Sequence, residues 1–162
     1  MRYALALIVV CSLGAGMGCG ERPAPPPPAP PAKPMSSWTE SDSQAAAKEL
    51  ITDATRNPWV AEYRTRMNRM PRVAVGEIVD RSGDNVDVTA FTTDLEHALS
   101  SSLQVGVVRS PTDADLILTG AVSRESGKNA SYFQVDLRLS ATDGGDTVWQ
   151  RGIERQIDTP AK

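Results

Sequence analysis

The chain has 162 residues, with 17 Lys and Arg against 20 Asp and Glu and a formal charge of −3. That balance provides no broad basic field for nucleic acid. Two cysteines and one histidine leave little material for thiol or imidazole chemistry, while 40% apolar composition suffices for one core.

In chain order, Met1-Arg2 supplies a minimal positive start, and Tyr3–Leu13 is an uncharged apolar run. The run is too short for a comfortable transmembrane helix and has the layout of a secretory signal. Small residues lead to Gly18-Cys19-Gly20, the arrangement expected where a thiol is lipidated before cleavage. Gly16 departs from the aliphatic residue usual three places before such a Cys, and bulky Val10 makes Cys11 the poorer candidate. A mature chain beginning at Cys19 keeps a single thiol, so no internal disulfide can form and acylation is the better explanation for it. Loss of Arg2 with the signal leaves sixteen Lys and Arg facing twenty Asp and Glu, net −4. Gly20 is not the Asp associated with inner-membrane retention, so an outer-membrane anchor facing the periplasm is expected.

Eight of the twelve residues Pro23–Pro34 are proline. Missing amide donors and fixed φ exclude helix and ladder, leaving a solvated polyproline II rod. From Gly20 to Ser37 such a rod reaches at most about 55 Å at ~3.1 Å per residue. The expected organisation is therefore 1–18 signal peptide, 19–35 lipidated N-terminus and Pro-rich tether, and 36–162 one globular domain.

Within the domain, Ser41–Thr55 reads as a helix capped near Ser41 or Ser43, with Ala45, Ala46, Leu50, Ile51 and Ala54 on one stripe. Asn57-Pro58 restarts it as Pro58–Met70, whose core stripe is Trp59, Val60, Tyr63, Met67 and Met70. Arg72–Asp80 reads as a buried strand, Arg81–Val88 as a polar loop, and Thr89–Leu103 as a helix with Phe91, Leu95, Ala98, Leu99 and Leu103 inward. Gln104–Arg109 is a short strand. Asp115–Arg124 is a strand whose Leu116-Ile117-Leu118 suggests cover on both faces. Glu125–Ala130 is a turn. Ser131–Thr142 alternates cleanly, with Phe133, Val135, Leu137, Leu139 and Ala141 facing in. Asp143-Gly144-Gly145-Asp146 is a hairpin turn, and Thr147–Ile157 returns with Trp149, Ile153 and Ile157 inward. Arg151 and Arg155 share that inward face, which places this strand at an edge or at a bulge. The fold class is α+β: a two-layer domain, its mixed sheet ending in an antiparallel meander, with helices on one face.

Catalytic constellations are missing from the sequence. His97 lies off the apolar stripe of its helix, no Ser has a nucleophile-elbow context, and no Gly-rich loop cradles phosphate. Asp80, Asp84, Asn85 and Asp87 offer oxygen ligands at short spacing but lack the EF-hand arrangement, so they read as a solvated loop. Asp113 and Asp115 read as turn and strand-entry residues, and Asn129-Ala130-Ser131 as an idle sequon. No enzyme activity, cofactor or metal site is expected. Arg56, Arg64, Arg66, Arg69 and Arg72 fall within seventeen residues, opposed by Glu62 alone. The solvated side of an amphipathic helix explains them, but Arg64, Arg66 and Arg69 are also the candidates for contact with an acidic partner.

Ala114-Asp115-Leu116-Ile117-Leu118-Thr119-Gly120, then Tyr132–Leu139, then Thr142–Trp149 closing to Ile157, form a pattern that resembles the LpoB family. So do Arg72–Asp80, the Phe91–Leu99 helix, and the layout of signal, Cys, Pro-rich tether and small domain. The N-terminal domain of TolB and the secretion lipoprotein CsgG share the strand–hairpin pattern. The resemblance implies a monomeric outer-membrane lipoprotein that docks on a class A penicillin-binding protein and stimulates glycan polymerisation and crosslinking without catalysis of its own. Arg109–Ala114 is shorter than the helix-bearing segment such domains often carry. The alternatives are a CsgG-like envelope or secretion-assembly component and a structural wall-binding adaptor.

Overall fold

The computed structural model describes residues 37–127, 130–143 and 145–158. The expected signal peptide, Cys19, the proline tract and Asn129 of the sequon lie outside the described residues.

Helix α1 spans Glu40–Arg56. Its cap is Thr39, not Ser41 or Ser43: the Thr39 side chain accepts from the Asp42 amide while the Asp42 carboxylate accepts from the Thr39 amide, at 3.3 and 3.0 Å. Helix α2, Trp59–Met67, follows after Asn57-Pro58 and ends earlier than its apolar spacing suggests. Asn68 adopts the left-handed conformation at φ 51° and stops it, a state Asn tolerates better than most residues. Trp59, Val60 and Tyr63 are buried as expected, whereas Met67 and Met70 are 45% and 44% exposed. The core stripe of α2 is thus one turn shorter than the sequence pattern.

Strand β1, Arg72–Arg81, leads to α3, Val88–Ser102, and then to the two-residue strand β2, Gly106–Val107. Asp87 caps α3 by accepting from the Thr89 and Ala90 amides. Phe91, Leu95 and Leu99 are buried, but Leu103 is not on the stripe: it is the left-handed C-cap of α3 and is 77% exposed. A single 3-10 turn, Pro111–Asp113, precedes β3, Leu116–Ser126. Strands β4, Ala130–Ala141, and β5, Thr147–Asp158, complete the chain. β3 and β4 run past the expected boundaries, so the Glu125–Ala130 turn shrinks to a tight connection closed by Gly127 N–H donating to the Ala130 carbonyl.

The five strands order as β2-β1-β3-β4-β5. β1 is parallel to both β2 and β3, and β3, β4 and β5 form the antiparallel meander. The sheet is mixed and the class is α+β, as the element order implies. β3 is central in pairing, but only Leu116, Leu118 and Val122 are buried, while Ile117 and Ala121 on its other face are half-buried. Cover lies on one face only. Helices α1 and α3 pack on each other, with α1 against β5 and α3 against β1. Val135, Leu137 and Leu139 line the face beneath them, and Trp38 closes the layer against Phe133 and Phe91, with ring centroids 5.2 and 6.3 Å apart.

β5 is an edge strand, and its pairing with β4 carries a register shift between Leu139 and Ser140. The inward arginines are explained by α1. Arg155 meets Glu49 at 3.0 Å and Arg151 pairs with Asp53, one helical turn further on. Asp53 also accepts from the Trp149 indole at 2.9 Å. Charged side chains on the core side of an edge strand also discourage a second strand from adding there.

Gly120 lies in the inward row of β3, between Leu118 and Val122, and opposes Leu137. A Cβ there would collide with the Asp136 carbonyl oxygen and the Leu137 side chain. Gly→Ala ordinarily favours a strand by roughly 0.5–1 kcal/mol, but here overpacking against backbone outweighs it. Gly120→Ala is expected to destabilise the domain by about 1–3 kcal/mol, read as a lower urea midpoint with an unchanged slope.

Candidate functional site

The described residues gather the sequence's arginine row around one carboxylate. Asp115, placed at the start of β3, accepts two bonds from the Arg69 guanidinium, at 2.6 and 2.7 Å. It also accepts from the Arg72 amide at 2.8 Å, and the Arg72 guanidinium stands at 3.5 Å. The Tyr63 hydroxyl is a further donor beside it. One side chain therefore ties the end of α2, the α2–β1 link and the entry to β3 together. Such bidentate charge-assisted bonds are shorter and stronger than neutral ones.

The electrostatics follow from that arrangement. Arg69, helped by the Arg72 amide and the Tyr63 hydroxyl, holds the Asp115 carboxyl well below the usual carboxylate range against the opposing effect of burial. The same bond holds the Arg69 guanidinium above its ordinary value. Burial raises the Tyr63 phenol, and its hydrogen bond to Asp115 pushes the same way.

The candidate arginines have separate fates. Arg69 is bound to Asp115 and stands 5.6 Å from the Tyr63 ring centre. Arg64 donates to the Gln104 carbonyl at 2.8 Å, which fastens α2 to the link after α3. Arg66 lies 5.9 Å from the same Tyr63 ring and is exposed. The row is thus partly a structural clamp and only partly a free cationic surface. Asp115, read from sequence as a strand-entry residue, is the organising member. Local spacing carried no signal for that role, since Asp115 lies 46 residues from Arg69.

The Asp80–Asp87 loop is occupied by its own bonds. Asp80 accepts from the Ser82 and Val86 amides. Asp84 accepts from the Ser37 amide and hydroxyl at 2.8 and 2.7 Å and pairs with Arg124 at 2.8 Å. Among the described residues, no group of three His, Cys, Asp or Glu could hold a metal ion. His97 stands on α3 in a cleft of about 520 Å³ between α1 and α3, with Lys48 and Asp94. A second cleft of about 480 Å³ separates α2 from the β4–β5 turn.

The fold and the site define a small two-layer α+β domain whose distinctive chemistry is a surface clamp. Residues 42–116 match the family model described as peptidoglycan-synthase activator LpoB, so the chain is LpoB-like from the first turn of α1 to the first residue of β3. The meander that suggested the resemblance lies beyond that match. The LpoB C-terminal domain from Escherichia coli is 14% identical, covering 70% of this chain and 98% of its own, with a TM-score of 0.48. That from Salmonella enterica is 16% identical, covering 60% and 93%, with a TM-score of 0.41. A PelC dodecamer from Paraburkholderia phytofirmans is 18% identical, covering 57% and 76%, with a TM-score of 0.42. No curated protein matches the chain.

Because the folded-state pKa of Asp115 is depressed, the unfolded chain binds more protons than the folded one in acid. The stability Asp115 contributes is therefore fully present above its ordinary pKa of about 4 and is lost as the pH falls toward its folded value. Asp115→Ala is expected to cost roughly 2–4 kcal/mol at neutral pH. The difference from wild type should shrink below about pH 4, measured by urea unfolding across pH.

Proposed function

We propose that this protein is an LpoB-type activator: a lipoprotein that docks on a class A penicillin-binding protein and stimulates peptidoglycan synthesis without catalysing it. The match of residues 42–116 to the peptidoglycan-synthase activator family carries this reading. The sequence supports its geography. A signal over 1–18, lipidation at Cys19 and a proline-rich spacer over 19–35 fit a domain held at the periplasmic face of the outer membrane. Its reach of about 55 Å at most limits the partner to one that itself projects toward the anchor.

In this reading the domain acts by binding, and its work is to favour the active state of its partner. A ligand shifts such an equilibrium only through its preference for one state, so docking to the active form must be the tighter of the two. Arg64, Arg66 and Arg69 are the proposed contact residues, with Arg66 the most available. No cofactor, metal or nucleic acid enters the mechanism.

Two measurements test it. Full-length chain added to a solubilised class A penicillin-binding protein from the same organism should raise the rate of glycan-chain synthesis from lipid-linked precursor. An unchanged rate, with no complex formed, defeats the activator reading. Labelled palmitate should enter the wild-type chain and be lost in Cys19→Ala. Labelling that persists defeats the anchor.

A further inference from the structure

We infer that the corner formed by the end of α2, the α2–β1 link and the C-cap of α3 is a protein-docking surface for a partner face that carries carboxylates around an apolar patch. That the partner is a penicillin-binding protein rests on the activator reading above. The location and chemistry of the surface rest on separate observations.

Apolar exposure comes first. The exposed large hydrophobic residues among the described ones are Met67, Met70 and Leu103, and all three belong to this corner. The Arg64 guanidinium reaches the Gln104 carbonyl next to Leu103, and the Gly106 amide donates to the Pro71 carbonyl at 2.9 Å, so both α2 and the link after Met70 meet the segment that follows Leu103. Exposed large apolar side chains confined to one corner with a polar rim mark an interaction site.

Leu103 supplies an independent argument. It holds a left-handed backbone at φ 54°, where Gly or Asn is the usual C-cap, and it is 77% exposed. Stability gains nothing from Leu at such a position: the backbone is unfavourable for it and its side chain buries little. Asn68, at the matching C-cap of α2, shows the ordinary solution. An unfavourable residue with an exposed apolar side chain points to a use outside the domain's own fold.

Charge suggests the partner's sign. Arg64, Arg66, Arg69 and Arg72 outnumber Glu62 and Asp115 on α2, the link and the clamp, although Asp143 and Asp146 line the cleft that Arg66 also borders and the chain as a whole is acidic. Arg69 and Arg72 keep 41% and 48% of their side chains exposed despite their bonds to Asp115. Arg66 and Arg69 are steadied by the Tyr63 ring. Guanidiniums already held in place lose less freedom when they meet a carboxylate. Composition separates protein from lipid. Exposed Arg and Met without Lys match the composition of protein interfaces, whereas the polar face of a membrane-surface helix is rich in Lys as well as Arg.

The test uses the full chain in detergent and the solubilised penicillin-binding protein. Wild type, the double variant Arg66→Glu with Leu103→Asn, and Arg138→Glu on the exposed sheet face are each titrated onto it. The double variant should bind at least about tenfold more weakly, about 1.4 kcal/mol, while Arg138→Glu binds as wild type. Leu103→Asn alone should melt no lower than wild type, which separates docking from folding. Raised salt should weaken the wild-type complex. Undiminished binding by the double variant overturns the inference and leaves the activator reading standing. No binding by wild type removes that reading and the inference with it. If the double variant instead loses only its sedimentation with phosphatidylglycerol vesicles, the corner is a lipid contact and the protein-docking inference fails.

Discussion

The Asp115 carboxylate is the constraint on which the corner between α2, the α2–β1 link and β3 depends. Helix α2 buries only Trp59, Val60 and Tyr63, too little to fix the direction of its last turn. Asp115 does so by binding Arg69, the Arg72 amide and Tyr63 from the start of the central strand. A carboxylate with four donors around it also keeps its charge far into acid, so the clamp does not loosen over ordinary pH changes. The arginines that could serve recognition therefore inherit their positions from the sheet.

A second set of ion pairs works at the opposite edge. Glu49 and Asp53 are one turn apart on α1, and Arg155 and Arg151 sit two pairs apart on the inward side of β5. Four residues span about 6 Å along the helix and about 13 Å along the strand, with Ile153 between the two arginines, and the length of the arginine side chains closes the difference. These exposed pairs add little stability singly. Their effect is to set where α1 lies across the meander, with the Trp149 indole completing the register.

Much of the architecture was legible because periodicity is a strong signal where one face is buried. The β4 alternation from Phe133 to Leu139, the two helices that cover the sheet, and the edge position implied by Arg151 and Arg155 all follow from it. What failed did so at element ends. Met70 and Leu103 continue an apolar spacing after the helix has stopped, and Met67 is left exposed as the last residue of α2, because Asn68 and Leu103 themselves adopt left-handed caps. Spacing cannot report a backbone reversal unless the capping residue is read first. The clamp was hidden for another reason: Asp115 lies 46 residues from Arg69, and long-range pairing leaves no local trace. The acidic loop misled in a milder way, since Asp80, Asp84 and Asp87 are spent on turn, clip and helix cap.

The clip at Asp84 has a mechanical consequence. Ser37 is fastened by its amide and hydroxyl to a carboxylate that is itself held by Arg124 of the central strand, and Trp38 follows directly into the core between Phe91 and Phe133. A pull on the chain ahead of Ser37 would thus be delivered to the sheet's middle, through two hydrogen bonds and a buried indole, before it could peel α1. The clamp corner at the far end of β3 would carry none of that load until the core itself gave way. Were the domain tethered as proposed, it could be held under tension while the Asp115 corner keeps its shape.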